Sequence, residues 1–140
     1  MTVTAVDTNV FLDVWLDDPD FAEQSQNAID TCLAEGSLVV SPVVIAELVA
    51  HAVGEERVRS LMDALNVEVA PIVREEATAA GALWGQRRGQ PRRRFLPDYL
   101  IAAGAARTAD RLLTRDAGFT RLDMPGLVVV SPEEIVRRRS

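Results

Sequence analysis

Val3–Val6 is a short β-branched run that passes without a break into Asp7-Thr8-Asn9, a strand handing over directly to a helix-starting cluster. The same hand-over recurs down the chain. Ser37–Val40 reads as a second strand and leads into Ser41-Pro42, an N-cap with Pro at the first helical position, opening a helix expected over Val43–Val53. Val67–Ile72 reads as a third strand, Arg111–Thr114 as a fourth and Leu127–Val130 as a fifth. Helices are expected over Val10–Trp15, over Phe21–Glu35 with Gly36 as its stop, over Glu55–Asn66, over Glu75–Arg87 and from Pro97 to Arg107, with a short helical turn at Pro132–Val136. Strands alternating with helices bury both sheet faces when the sheet is mainly parallel and helices cover each side. The expected fold class is therefore α/β, with a mainly parallel central sheet of about five strands flanked by helices. No linker, repeat or low-complexity tract interrupts the pattern, so residues 1–140 are expected to form a single domain.

Composition narrows the chemistry. All 15 basic residues are Arg and there is no Lys, which removes Walker A, Schiff-base and pyridoxal-phosphate chemistry together. With one Cys (Cys32) and one His (His51), an internal disulfide is impossible and a Cys/His zinc site is nearly so. Carboxylates, hydroxyls and Arg remain. Residues 1–86 hold three Arg against seven Asp and eight Glu, a balance of −12, whereas residues 87–140 hold 12 Arg against four Asp and two Glu, a balance of +6. The acidic total argues against nucleic-acid binding through bulk charge but leaves local phosphate contacts open to the basic half. The N-terminus lacks the pattern of a signal peptide, and the longest apolar stretch is broken by Pro42, Glu47 and His51, so a cytoplasmic protein with no membrane span is expected.

Four acids stand where acids are costly or consequential. Asp7 follows the first strand and Asp116 the fourth, which points both at the carboxyl-end rim where open α/β sheets bind ligands. Read singly, each is equally well a helix cap. Glu47 sits in Val43-Val44-Ile45-Ala46-Glu47-Leu48-Val49-Ala50, a helix apolar on every side, so it is expected to be buried and to demand a cation, with His51 one turn on as a possible partner. Asp98 is the one charge between Arg94 and Arg107, either a first-turn acid favoured by the helix dipole or a fourth member of the same site. Hard oxygen donors of this kind select Mg2+ or Mn2+ over zinc or copper, and a carboxylate cluster holding such ions suits phosphodiester hydrolysis. Asn9 and Thr114 flank the acids with neutral oxygens able to orient ligands.

Val6-Asp7-Thr8-Asn9-Val10, Ser41-Pro42 leading to Glu47, Leu96-Pro97-Asp98 before Ile101-Ala102-Ala103, and Leu112-Leu113-Thr114-Arg115-Asp116 before Phe119 resemble the PIN domain, in its VapC toxin branch. The likeness runs in order over nearly the whole chain; region 54–90 carries no matching motif. It implies a PIN-like fold and an Mg2+- or Mn2+-dependent endoribonuclease toxin that is homodimeric and neutralised by a VapB-type antitoxin. It also implies Asp7, Glu47, Asp98 and Asp116 as the catalytic and metal-holding acids, with Asn9 and Thr114 as accessory polar positions.

Arg87, Arg88, Arg92, Arg93 and Arg94 place five guanidinium groups directly before Asp98, either as a solvated basic loop or as a clamp for RNA phosphates. Arg137-Arg138-Arg139 reads as a frayed, solvated tail, Cys32 as inert packing and Trp84 as a core or dimer contact. Two other functions fit an acidic pocket on an α/β sheet: a catalytically silent PIN-like module that grips RNA or protein, and a phospho-acceptor or phosphatase domain. The second normally needs a Lys against the phosphoryl group, which this chain lacks.

Overall fold

A five-stranded sheet in the order β3-β2-β1-β4-β5, parallel at every pairing, lies at the centre of the computed structural model. Residues 1–91 and 94–139 are described, the side chains of residues 52, 53 and 139 excepted. The strands are β1 (Thr2–Val6), β2 (Gly36–Val40), β3 (Glu68–Val69), β4 (Arg111–Leu113) and β5 (Val129–Val130). The helices are α1 (Thr8–Trp15), α2 (Ala22–Glu35), α3 (Pro42–Leu48), α4 (Gly54–Ala64), α5 (Arg74–Gln86), α6 (Leu96–Thr108) and α7 (Pro132–Arg139). Among the described residues, no helix is long and apolar enough to cross a membrane.

Strand alternation assigns the two faces. Arg111 Nε donates to Thr4 Oγ1 at 2.9 Å, and Arg111 Nη2 lies 3.4 Å from Cys32 Sγ on α2, so Thr4 and Arg111 point toward α2. The next residues, Ala5 and Leu112, point the other way and share a small space with Ile101 and Ala105 of α6. Both faces are thereby covered, and Val6, Leu38, Leu112 and Leu113 are each 1% exposed or less. Glu76 of α5 is buried at 4% exposure and pairs with Arg107 of α6, whose Nη2 also donates to the Pro71 carbonyl at 3.3 Å.

Gly36 is a helix stop, as the sequence suggests, and something more. Its N–H donates to the Cys32 carbonyl at the end of α2, and it is also the first residue of β2, paired with Thr2. A Cβ at this position would lie 1.9 Å from the Thr2 carbonyl oxygen, so close approach of two backbones requires glycine here.

Three expectations are corrected, and one element is added. The helix expected over Val43–Val53 ends its α-helical part at Leu48 and continues as a π-helical turn over Val49–Val53; Gly54, at φ 77°, then permits the break before α4. The edge strands shrink to two residues each, because an edge strand is held by a ladder on one side only. The C-terminal helix runs to Arg139 rather than stopping at Val136, with Arg137 paired to Glu133 one turn back; Arg137 and Arg138 are exposed, as a solvated tail would be. A 3-10 helix over Ala117–Leu122 carries no periodic signal in so short a span; it buries Phe119 and Leu122.

Gly36→Ala should cost about 1–3 kcal/mol, as overpacked positions do, read from urea unfolding midpoints. Gly81→Ala on the exposed side of α5, where a Cβ meets nothing within 4 Å, should instead stabilise by about 1 kcal/mol through helix propensity. Equal effects of the two substitutions would overturn the close-approach account.

Candidate active site

β1 and β4 lie side by side and run parallel, so the residues that follow them emerge together at one rim of the sheet. The Asp7 amide donates to the Leu113 carbonyl at 3.0 Å, continuing the ladder one step past the strand. Asp7 then caps α1: its Oδ1 accepts from the Thr8 amide at 2.8 Å. Its Oδ2 accepts from Thr114 Oγ1 at 2.7 Å and from Asn9 Nδ2 at 3.2 Å. Thr114 Oγ1 in turn accepts from the Asp116 amide at 3.0 Å and from Asn9 Nδ2 at 3.2 Å, while Asn9 Oδ1 accepts from the Arg115 amide at 3.2 Å. Asn9 and Thr114, flagged as accessory positions, thus stitch the end of β1 to the end of β4. Asp116 caps the 3-10 helix by accepting from the Gly118 amide at 2.9 Å. Asp7 and Asp116 are both helix caps, and the same two carboxylates also belong to the polar cluster at the rim.

Glu47 and Asp98 join from two further elements. The Thr8 hydroxyl donates to Glu47 Oε1 at 2.9 Å, tying α3 to the start of α1. Asp98 lies in the first turn of α6, and Arg94 Nη2 is 3.2 Å from its Oδ2. The same guanidinium holds Asp116 with two contacts, Nη2 to Oδ2 at 2.5 Å and Nη1 to Oδ1 at 3.3 Å. A continuous polar chain therefore runs Glu47, Thr8, Asp7, Thr114, Asp116, Arg94, Asp98, and all four sequence-predicted acids are members.

Two details differ from the sequence reading. Glu47 is half-buried rather than enclosed: only Val44 and Leu48 of α3 are buried, Ala46 is exposed, and His51 is exposed with no ion pair to Glu47 among the described residues. The apolar run reflects a helix covered on one stripe, not on all sides. The basic segment also divides by role. Arg87 is a tether, donating to the Arg121 and Leu122 carbonyls and pairing with Asp123 at 2.9 Å; Arg88 is exposed; Arg94 turns inward to the acids; Arg92 and Arg93 lie outside the described residues.

Sequence reasoning passed over two supports. Thr8 carries a hydroxyl beside a residue already singled out, and its spacing on the α1 start was the available signal. Asp13, 3% exposed on α1, accepts from Arg115 Nε at 2.6 Å, from Arg115 Nη2 at 2.7 Å and from Ser25 Oγ at 2.7 Å, and the Arg115 guanidinium lies 3.9 Å from the centre of the Phe21 ring. This fixes the residue between Thr114 and Asp116 from outside. An acid on an amphipathic helix gives no sequence sign that it is buried.

Charge crowding leaves its mark on the acids. Burial pushes the Asp7 carboxyl up from 3.8 to about 6, against the hydrogen bonds from Thr114 and Thr8, and the charges of Glu47 and Asp98 push it further the same way. Burial likewise raises Asp98; Arg94 opposes the rise, and the charges of Asp116 and Glu47 add to it. The Arg94 hydrogen bonds hold Asp116 below the usual carboxylate range in spite of its partial burial. Among the described residues no three acids close on one point as a metal cage does, and Arg94 stands between Asp98 and Asp116. The donor set nevertheless fits a hard divalent cation: four carboxylates with no sulfur or imidazole among them, and a buried Asp7 whose charge is disfavoured until a cation relieves it.

The sequence model of the PIN domain family matches residues 4–124 of the chain. Among curated proteins, no sequence matches it. Solved structures resemble it over most of its length. A chain of VapBC2 from Rickettsia felis, bound to a DNA fragment from their promoter, aligns with a TM-score of 0.70 at 21% identity, covering 92% of this chain and 98% of that one. A toxin-antitoxin complex from Klebsiella pneumoniae gives 0.67 at 22% identity, with 92% and 97% covered. VapBC-1 from nontypeable Haemophilus influenzae gives 0.70 at 17% identity, with 94% and 98% covered. Identities this low speak to the fold alone.

The Asp7 shift sets a sign for pH dependence. A carboxyl whose folded pKa is raised contributes stability in full below its unfolded value, and that contribution is lost as pH climbs through about 6. Asp98, also raised, acts in the same direction, while Asp116, lowered, contributes above its unfolded value and loses that only in stronger acid. Melting curves in excess chelator should therefore give a higher Tm at about pH 5.5 than at about pH 7.5, and a smaller difference in Asp7→Asn. A wild-type Tm that rises steadily with pH over this window would contradict the crowding.

Proposed function

The chain belongs to the PIN domain family, and from that premise we propose that it is an Mg2+- or Mn2+-dependent endoribonuclease toxin of a toxin–antitoxin module, hydrolysing RNA phosphodiester bonds. The observation that carries the reading is the polar chain in which Asp7, Glu47, Asp98 and Asp116, from four separate segments, meet at the carboxyl end of β1 and β4. An RNA substrate, a VapB-type antitoxin as partner, a homodimeric state and a cytoplasmic setting belong to the same proposal. The solved structures resembling the chain support the antitoxin, since one is described as a toxin-antitoxin complex.

Asp7, Asp98, Asp116 and Glu47 would hold the cation. Bound there, Mg2+ or Mn2+ supplies Lewis-acid stabilisation of the charge that develops on the phosphodiester. The rest falls to the chain. Thr114 and Asn9 fix Asp7 by two donors on one oxygen, so its orientation does not depend on the cation. Glu47, half-buried, is held through Oε1 by the Thr8 hydroxyl, which sets the direction in which its carboxylate faces the other acids. Arg88, with Arg92 and Arg93 beyond the described residues, supplies guanidinium groups for flanking phosphates; Arg87 and Arg94 are bound within the protein and serve it there first.

Purified protein should cleave single-stranded RNA with Mg2+ or Mn2+ and lose that activity in excess chelator. Asp98→Asn should be inactive while keeping its circular-dichroism spectrum and cooperative melt. Cleavage that survives both chelator and Asp98→Asn would exclude the acidic pocket as the site.

Thr114→Val removes a donor to Asp7 and leaves the four acids in place. It should lower the cleavage rate by about 10- to 100-fold, the usual range for a group that orients a metal-holding carboxylate. Single-turnover rates at saturating Mg2+ measure it, and an unchanged rate would show that Asp7 needs no such support.

A further inference from the structure

Arg94 is seated among the carboxylates by several independent contacts. Trp84 Nε1 donates to the Arg94 carbonyl at 3.0 Å, fixing its backbone against α5. The guanidinium lies 4.9 Å from the centre of the Phe119 ring. Residue 118 is glycine where a Cβ would fall 2.4 Å from Arg94 Nη1, so the 3-10 helix leaves the space that the guanidinium fills. Its Nη atoms reach Asp116 and Asp98, yet its Nε is buried with no hydrogen-bond partner among the described residues. Arg115 differs: its Nε and Nη2 are both matched to Asp13. The charge of the acids, rather than full hydrogen bonding, keeps Arg94 where it is.

We propose that Arg94 is a resident counter-ion of the carboxylate pocket, a positioning residue that holds Asp116 and Asp98 in the metal-free protein and competes with the divalent cation for them. The proposal rests on the reading of this pocket as a divalent-cation site. A guanidinium and a divalent ion repel at such range, so each occupies the acids at the other's expense. Leaving the acids costs Arg94 little space, because it already lines an open cleft of about 370 Å³ with Arg87, Arg121 and Gly118. The protein would thus load its cation only above a threshold that this one residue sets.

Isothermal titration of Mn2+ into wild type, Arg94→Gln, Arg94→Lys and Asp98→Asn tests this, with circular dichroism on each. Arg94→Gln should bind Mn2+ at least about tenfold more tightly than wild type, and Arg94→Lys, which keeps the charge but loses the two-pronged hold on Asp116, should fall between them. Mn2+ affinity unchanged or weakened in Arg94→Gln overturns the proposal; should that variant fail to fold, unchanged or weakened affinity in Arg94→Lys overturns it. If wild type shows no Mn2+ binding that Asp98→Asn removes, the pocket is not a cation site, and the proposal falls with that reading rather than on its own account.

Discussion

Three backbone pairs, Thr4 with Arg111, Ala5 with Leu112 and Val6 with Leu113, decide what the rest of the molecule can do. They bring the ends of two strands far apart in the chain to the same level, so that the Asp7 amide reaches the Leu113 carbonyl and the Thr114 hydroxyl reaches the Asp7 carboxylate. A slip of one residue in either strand would turn that strand's apolar face away from α6 and break the pairing of Arg111 with Thr4. The register is therefore specified twice, by apolar burial on one face and by the Arg111 contacts on the other. The acids inherit their geometry from a choice the core has already made.

Gathering like charges at that rim is costly, and the fold answers the cost differently at each acid. Asp7 is buried and relies on donors from Thr8, Thr114 and Asn9. Asp116 is more open and takes the strongest contacts of Arg94 together with a cap to Gly118. Glu47 remains half in solvent and needs one hydroxyl. Because Asp7 and Asp116 also cap helices, part of the local structure depends on the same groups, and substitution by Asn keeps the capping oxygen while removing the charge.

Much of this was legible beforehand. The strand-helix alternation, the parallel sheet and the four acids follow from short apolar runs that end in acids or caps. Asn9 and Thr114 were readable because they neighbour those acids in sequence. What escaped depends on contacts between distant segments. The burial of Asp13 needs Arg115 and Ser25 from two other elements, and nothing in the α1 sequence separates it from a surface acid. Arg94 sits in a run of five Arg within eight positions, and no local property sets it apart; its inward turn is decided by the glycine at 118 and the carboxylates across the gap. The seeming enclosure of Glu47 erred in the other direction, since a seven-residue helix that is apolar at every position but Glu47 can still leave Ala46 in water.

The two-residue edge strands carry a consequence for life at high concentration. β3 and β5 each present a stub of ladder, and Glu68 on β3 is charged and exposed. A neighbouring molecule seeking to extend the sheet finds almost no unpaired backbone to template on, so edge-to-edge fibre growth is blunted at both borders. Contacts made along these two borders must then be won through side chains, which can be made selective, rather than by extending the sheet.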